Sequence, residues 1–170
     1  WINAQFGRAA DWMVLLSCLV SAGVAALRYS VTSPSNAWLE LQWYCFAGMV
    51  MLGSAYTLRR NEHVRVDILY GWVAPRTRLW IDVFGIIFFL MPAMALLAWM
   101  TWPFFVEAWV RGEISGNPGG LIRWPAKLLM PLGFTLVLMQ GVSELIKRIA
   151  MLIGEPPGGG AVADYVRPEQ

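Results

Sequence analysis

The sequence predicts an all-α membrane protein with four transmembrane helices. Three observations predict it. Apolar stretches run over residues 12–31, 38–58, 79–105 and 125–153, each at least as long as the roughly 20 residues that cross a hydrocarbon core about 30 Å thick. Charged residues make up only 14% of the chain, against about 25% in a soluble domain, and they cluster between those stretches. Most of the ten Trp residues sit near stretch ends, among them Trp12, Trp38, Trp80, Trp102, Trp109 and Trp124, where amphipathic rings favour headgroups.

In the first span, Ser17, Ser21 and Ala25 recur at spacing four with Cys18, Ala22 and Ala26 beside them, a small-residue face suited to close helix packing. Arg28 near its end can snorkel to headgroups. The second span opens with Glu40 and Gln42. Glu40 is expected either to be solvated or to pair with Arg28 or with a basic group on a neighbouring protein. Gly48 and Gly53 offer close-packing points. The third span is too long for one straight crossing, and Pro92 removes a backbone bond to Phe88, so a bend is expected there. Asp82 follows Arg78 at i+4, the spacing of a local ion pair. The fourth span opens at Trp124-Pro125, with proline suited to a first turn. Glu144 has Lys147 and Arg148 at i+3 and i+4, which favours a local ion pair over a substrate site. No acidic or basic residue is expected at the middle of a span. Cys18 and Cys45 fall inside spans and read as small packing residues.

With four spans, the termini and the 59–78 loop share one side. That side carries nine basic residues against four opposite, so both termini are expected in the cytoplasm and the loops at 32–37 and 106–124 outside. The membrane domain is expected over 1–153, followed by a disordered Pro/Gly-rich tail over 154–170. No signal peptide is evident, and the start Met is expected to have been removed or trimmed before Trp1. In the inner loop, Asp67 can cap a short amphipathic helix over 67–73 lying in the interface plane. Arg59, Arg60, Glu62, His63, Arg65 and Asp67 form a mixed-charge surface suited to phospholipid phosphates or partner carboxylates. In the outer loop, Asn117-Pro118-Gly119-Gly120 reads as a turn, and composition suggests an exposed hairpin.

Several function classes are disfavoured. A net charge of +2 gives no footprint for nucleic acid. The one His, His63, excludes a bis-His haem or a His-rich metal site within the chain. No hydrolytic motif is present, so the chain does not read as an enzyme. Without midplane charges or paired Gly/Pro breaks it also makes a poor stand-alone carrier.

The run Arg59-Arg60-Asn61-Glu62-His63-Val64-Arg65-Val66-Asp67-Ile68 carries a resemblance. It is followed by Gly112-Glu113, Ser115-Gly116, Gly120-Leu121, Trp124-Pro125, Lys127, Pro131-Leu132-Gly133-Phe134, Gln140-Gly141 and Glu144. Together these resemble the small membrane subunit, DctQ type, of tripartite ATP-independent periplasmic (TRAP) transporters. The resemblance covers about residues 12–153. It implies a scaffold subunit in a bacterial inner membrane importer of organic acids driven by sodium. The partners would be a large membrane transport subunit, which holds substrate and sodium, and a periplasmic substrate-binding protein. No cofactor or substrate site is expected in this chain. Arg59, Arg60 and Arg65 would hold lipid or partner, and Glu113, Arg123, Trp124 and Lys127 would shape an outer docking face. Ser17, Ser21, Ala25, Gly48 and Pro92 would serve helix packing, with the small-residue face of the first span and the bend at Pro92 either packing the bundle or meeting the large subunit. The rivals are a self-sufficient oligomeric channel lined by Gln42, Gln140 and Glu144, and a membrane enzyme or electron-carrier subunit.

Overall fold

A backbone stripped of water satisfies its N–H and C=O groups within its own segment, so each apolar stretch closes into a helix. The computed structural model describes residues 2–30, 36–61 and 73–154. Its helices are α1 (Ile2–Ser30), α2 (Asn36–Arg60), α3 (Pro75–Gly85), α4 (Met91–Val110) and α5 (Trp124–Ile153). A π-helical turn, Ile86–Leu90, joins α3 to α4 in one continuous rod, giving four rods in all. Three of them, Asn3–Ser30, Arg76–Val110 and Trp124–Ile153, are long and apolar enough to cross a membrane. α2 is not among these. It carries Asn36, Glu40 and Gln42 near one end and Arg59 and Arg60 at the other.

The irregularity expected at Pro92 takes the form of that π turn. Pro92 cannot donate to Phe88, and just before it the Met91 N–H reaches back to the Ile86 carbonyl. An i→i−5 bond widens the helix locally and takes up the mismatch. Pro92 itself is exposed, so it shapes the rod without packing inside the bundle.

Contacts fix the directions of the rods. Gly7 lies against Tyr56, Ala10 against Gly53 and Met13 against Gly48, so α1 and α2 are antiparallel. Gly48 also approaches Leu129 and Gly133 approaches Met51, so α2 and α5 run parallel. Leu90 against Gly141 and Asp82 against Arg148 set the α3–α4 rod antiparallel to α5. The result is an up-down-up-down bundle. Its core is Ala10, Leu52, Ala55 and Leu136, with Phe6, Met13, Leu129, Leu132 and Val137 packed against it. Outside, the bundle exposes Trp12, Leu19, Phe88, Phe89, Trp99 and Ile146, whereas Gln140, Glu144 and Arg148 are buried. An apolar exterior around a polar interior is the polarity of a chain solvated by lipid.

The packing face of α1 departs from the one expected. Asn3, Gly7, Ala10, Val20 and Val24 are buried, Ser17 and Ser21 are half-buried, and Ala25, Cys18, Ala22 and Ala26 are exposed. The helix starts ten residues before its apolar run, and α2 pairs with that polar extension, placing Tyr56 in the space at Gly7. Cys45 is buried as expected, and Cys18 is not. The register also brings Asp11 well inside the bundle's length. It follows Ala10, which clusters with Leu52 and Leu136, and precedes Met13, which meets Gly48 near Leu129. Asp11, which the sequence places just before the first span, therefore falls inside the helix Asn3–Ser30 that is long and apolar enough to cross a membrane.

The expected interfacial helix, apart from Val73, lies outside the described residues, as do Glu62, His63, Arg65, Asp67 and the tail beyond Gly154.

Candidate partner-docking and anchoring sites

The outer loop is a small hairpin latched to α2. α4 ends at Val110, and Gly112 takes a left-handed φ of 59°, which turns the chain back. Ile114 and Ile122 form an antiparallel bridge, and the Gly120 N–H donates to the Asn117 carbonyl at 2.9 Å, closing the expected turn. Glu40 is the latch. Its carboxylate accepts from the Ser115 hydroxyl, from Asn117 Nδ2 at 2.8 Å and from the Leu121 N–H at 2.7 Å. Asn36 Nδ2 donates to the Pro118 carbonyl at 3.1 Å, and the Tyr44 hydroxyl to the Ile122 carbonyl at 3.2 Å. Glu40 is thus 4% exposed and neither solvated nor paired with Arg28, which is itself exposed. Loop donors outcompete both expectations because they surround the carboxylate once the hairpin folds. No local spacing signals this contact, since Glu40 and its partners lie some 75 to 81 residues apart.

Of the predicted outer residues, Glu113, Arg123 and Lys127 come together, and Trp124 packs on Trp109. Glu113 pairs with Lys127 and, at 3.1 Å, with Arg123. The hydrogen bond from Lys127, and then that from Arg123, holds the Glu113 carboxyl below its ordinary range against the opposing effect of burial. The Lys127 ammonium lies 3.8 Å from the Phe104 ring centroid, a cation–π contact. Trp124 meets Trp109 edge to face at 4.5 Å, fixing the α4–α5 junction. The other face of the hairpin leaves Ile114 and Ile122 exposed.

The opposite half of the bundle holds a buried polar chain. Asn3 Nδ2 donates to Gln140 Oε1 at 2.6 Å, and Gln140 Nε2 to Glu144 Oε1 at 2.8 Å. Glu144 also pairs with Lys147 at 2.8 Å and Arg148 at 3.0 Å, and Arg148 reaches Asp82 at 2.9 Å. The local pairing expected at Glu144 is present, but it belongs to a chain joining α1, α3 and α5. Spacing could reveal the part within α5 and could not reveal Asn3 or the contact from Arg148 to Asp82. Gln140 and Glu144 bond to each other, while Gln42 sits half-buried near the far end of α2.

Of the anchoring residues that are described, Arg59 and Arg60 end α2 and are exposed. Arg60 Nε donates to the Tyr56 hydroxyl at 2.9 Å. Gly48 is buried where α1, α2 and α5 meet.

No curated protein and no solved structure matches the chain. A family model described as "Tripartite ATP-independent periplasmic transporters, DctQ component" matches residues 16–151, a stretch that holds the Glu40 latch, the outer hairpin and all of the inner polar chain except Asn3. The chain accordingly belongs to the DctQ family, the small membrane component of TRAP transporters.

Proposed function

We propose that this chain braces the large transport subunit of a sodium-driven organic-acid importer in the bacterial inner membrane. In this reading α2 crosses the bilayer with the other three rods, and both termini are cytoplasmic. The large subunit carries substrate and sodium. This chain binds neither. It widens and stiffens the membrane frame against which the large subunit moves, and it offers its outer hairpin to the periplasmic binding protein. Arg59, Arg60 and Arg65 hold the inner rim on phospholipid phosphates.

The observation that carries this reading is the use made of buried polar groups. Glu144, Arg148, Asp82, Gln140 and Asn3 bond to one another across three rods, with Asn3 Oδ1 the one buried polar side-chain atom among the described residues left without a hydrogen-bond partner. A polar chain that links three rods fixes the register of helices that otherwise have little hydrophobic drive to associate in lipid. That suits a rigid frame. The hairpin is ordered in advance by Glu40, which lowers the ordering cost of binding a partner.

The test is co-purification followed by transport. The chain is tagged, expressed with its genomic neighbours and drawn from membranes in mild detergent. A large membrane subunit at one to one supports the reading. Sodium-driven uptake of a panel of radiolabelled carboxylates by proteoliposomes should then need both chains. Recovery of this chain alone as a homo-oligomer that conducts ions by itself would overturn the proposal.

A further inference from the structure

We infer that the outer hairpin holds the periplasmic binding protein by its open strand edge, where the Ile114 backbone pairs with an extended segment of that protein. The inference rests on the reading above, in which the hairpin faces the periplasm, and it names how the partner is held.

The hydrogen bonds define the edge. The Arg123 N–H donates to the Glu113 carbonyl at 2.8 Å, and the Ser115 N–H to the Leu121 carbonyl at 2.9 Å. These bonds bracket the Ile114–Ile122 bridge, so Ile114 and Ile122 form the non-hydrogen-bonded pair of an antiparallel ladder. Their own N–H and C=O groups therefore point away from each other, to opposite edges. The two edges differ. On one, the Ile122 carbonyl accepts from the Tyr44 hydroxyl of α2, and Glu40 takes the neighbouring Leu121 N–H. On the other, no described residue bonds to the Ile114 N–H or carbonyl. Gly112 and Gly116 flank Ile114, and a Cβ at either would meet nothing within 4 Å, so the approach to this edge is open.

The side chains beside the edge are apolar, with Ile114 62% and Ile122 50% exposed. Water can satisfy the outward N–H and C=O but leaves both isoleucines uncovered. Acyl chains can cover the isoleucines but offer the backbone groups no partner. An extended protein segment does both: its main chain continues the ladder, and its alternate side chains pack on the isoleucines. Proteins commonly blunt a strand edge with lysine, proline or an outward charge. This edge has an isoleucine there, and the adjacent acid, Glu113, is turned to Lys127 and Arg123. Because α2 already fixes the opposite edge, the hairpin loses little freedom when a partner strand is added.

The experiment uses the co-expressed complex in lipid nanodiscs and the binding protein encoded beside it. Amide hydrogen exchange is followed at Ile114, with Gly112 and Arg123, whose N–H groups are already bonded, as references. Adding the binding protein should slow exchange at Ile114 by roughly tenfold or more and leave both references as they were. Ile114→Pro deletes the N–H and should weaken binding by roughly tenfold, whereas Ile114→Val keeps the N–H and should bind as the unmodified chain does. Protection of the Arg123 amide reports whether the hairpin survives each substitution. Where it does not, exchange at Ile114 in the unmodified chain decides. Binding with exchange at Ile114 unchanged would overturn the inference. So would slow exchange at Ile114 before the binding protein is added, as expected if lipid or the large subunit already covers the edge. So would equal binding by the large subunit without this chain. Each of these leaves the bracing role intact. No binding to the complex at all would overturn the inference together with the docking role of the hairpin, and failure to recover any large subunit would overturn the bracing role itself.

Discussion

The inner polar chain and the outer hairpin both centre on a buried glutamate, yet they solve different problems. Glu144 sits among charged and amide side chains that project from helices already formed by their own backbone bonds. What it settles is which helix lies beside which, and at what register. Glu40 instead gathers a loop whose backbone has few bonds of its own, and one of its partners is the backbone N–H of Leu121. The first is a clamp between rigid bodies, and the second gives a segment its shape. Loss of the clamp should therefore appear as global instability, and loss of the latch as local opening.

The largest effect is expected at Arg148. Arg148→Ala takes the shared guanidinium from half-buried Asp82 and buried Glu144 and should destabilise the bundle by about 3 kcal/mol, read as a lowered midpoint of thermal unfolding in detergent. The combination Asp82→Asn, Glu144→Gln and Arg148→Met removes the stranded charges along with the pair. It should recover most of the loss if charge balance is the cause. If the combination is no better than the single change, the site matters through packing, and the contrast with Glu40 dissolves.

Next in size are the close approaches that the clamp holds in register. A Cβ on Gly133 would lie 2.8 Å from both the carbonyl oxygen and the Cβ of Met51, so backbone must move. Gly133→Ala should cost about 1–3 kcal/mol of unfolding stability. At Gly48 the added carbon would meet mainly the Met13 thioether, a flexible end that can turn aside. Gly48→Ala should thus cost visibly less in the same unfolding measurement. Equal costs would mean that the α2–α5 contact is looser than its geometry indicates.

These contrasts mark what the sequence could disclose. The four rods were legible because apolar length is a local property. The polar residues of the clamp within α5 were legible because i, i+3 and i+4 spacing is local too. Glu113, Arg123, Trp124 and Lys127 were singled out through their resemblance to a family pattern; Glu113, Arg123 and Lys127 do meet, and Trp124 meets Trp109. Glu40 was misread because its partners are supplied by a loop some 75 to 81 residues further along the chain. The start of α1 was missed because Asn3, Gln5, Arg8 and Asp11 look like a solvated lead-in. Their helix depends on α2 packing against Gly7 and Ala10, a tertiary contact that local pattern does not encode. The true packing face was present in the spacing of Asn3, Gly7 and Ala10, but it lay outside the apolar run that drew attention.

At the latch, Glu40→Gln should open the hairpin without unfolding the bundle. Three donors converge on the carboxylate, and a glutamine must turn its own NH2 group toward at least one of them. Hydrogen exchange at the Leu121 amide should rise roughly tenfold, while exchange within α5 stays as it was. Acceleration throughout α5 would show that latch and clamp form one cooperative unit.

The smallest expected effect concerns acid. The Glu113 carboxyl is held below its ordinary range mainly by Lys127 and then by Arg123. A lowered value in the folded state means that the tie to the hairpin is complete above the ordinary carboxylate range. It is lost as the pH falls through the lowered value. The pair is partly exposed, with Glu113 at 31% and Arg123 at 46% side-chain accessibility, so water screens it and the bundle should stay folded through this titration. Lys127→Met removes the largest cause and should move the Glu113 titration up toward the usual carboxylate value of about 4.3, followed by NMR of its labelled carboxyl carbon. Glu113 and its partners connect the hairpin only to the first turn of α5, whereas Arg148 ties α5 to the opposite rod. Protonating Glu113 should therefore loosen the Arg123 amide, which donates to the Glu113 carbonyl at 2.8 Å, and leave the Asp82–Arg148 contact in place. If that contact loosened at the same pH, the outer end would be part of the frame, not a shaped segment carried on it.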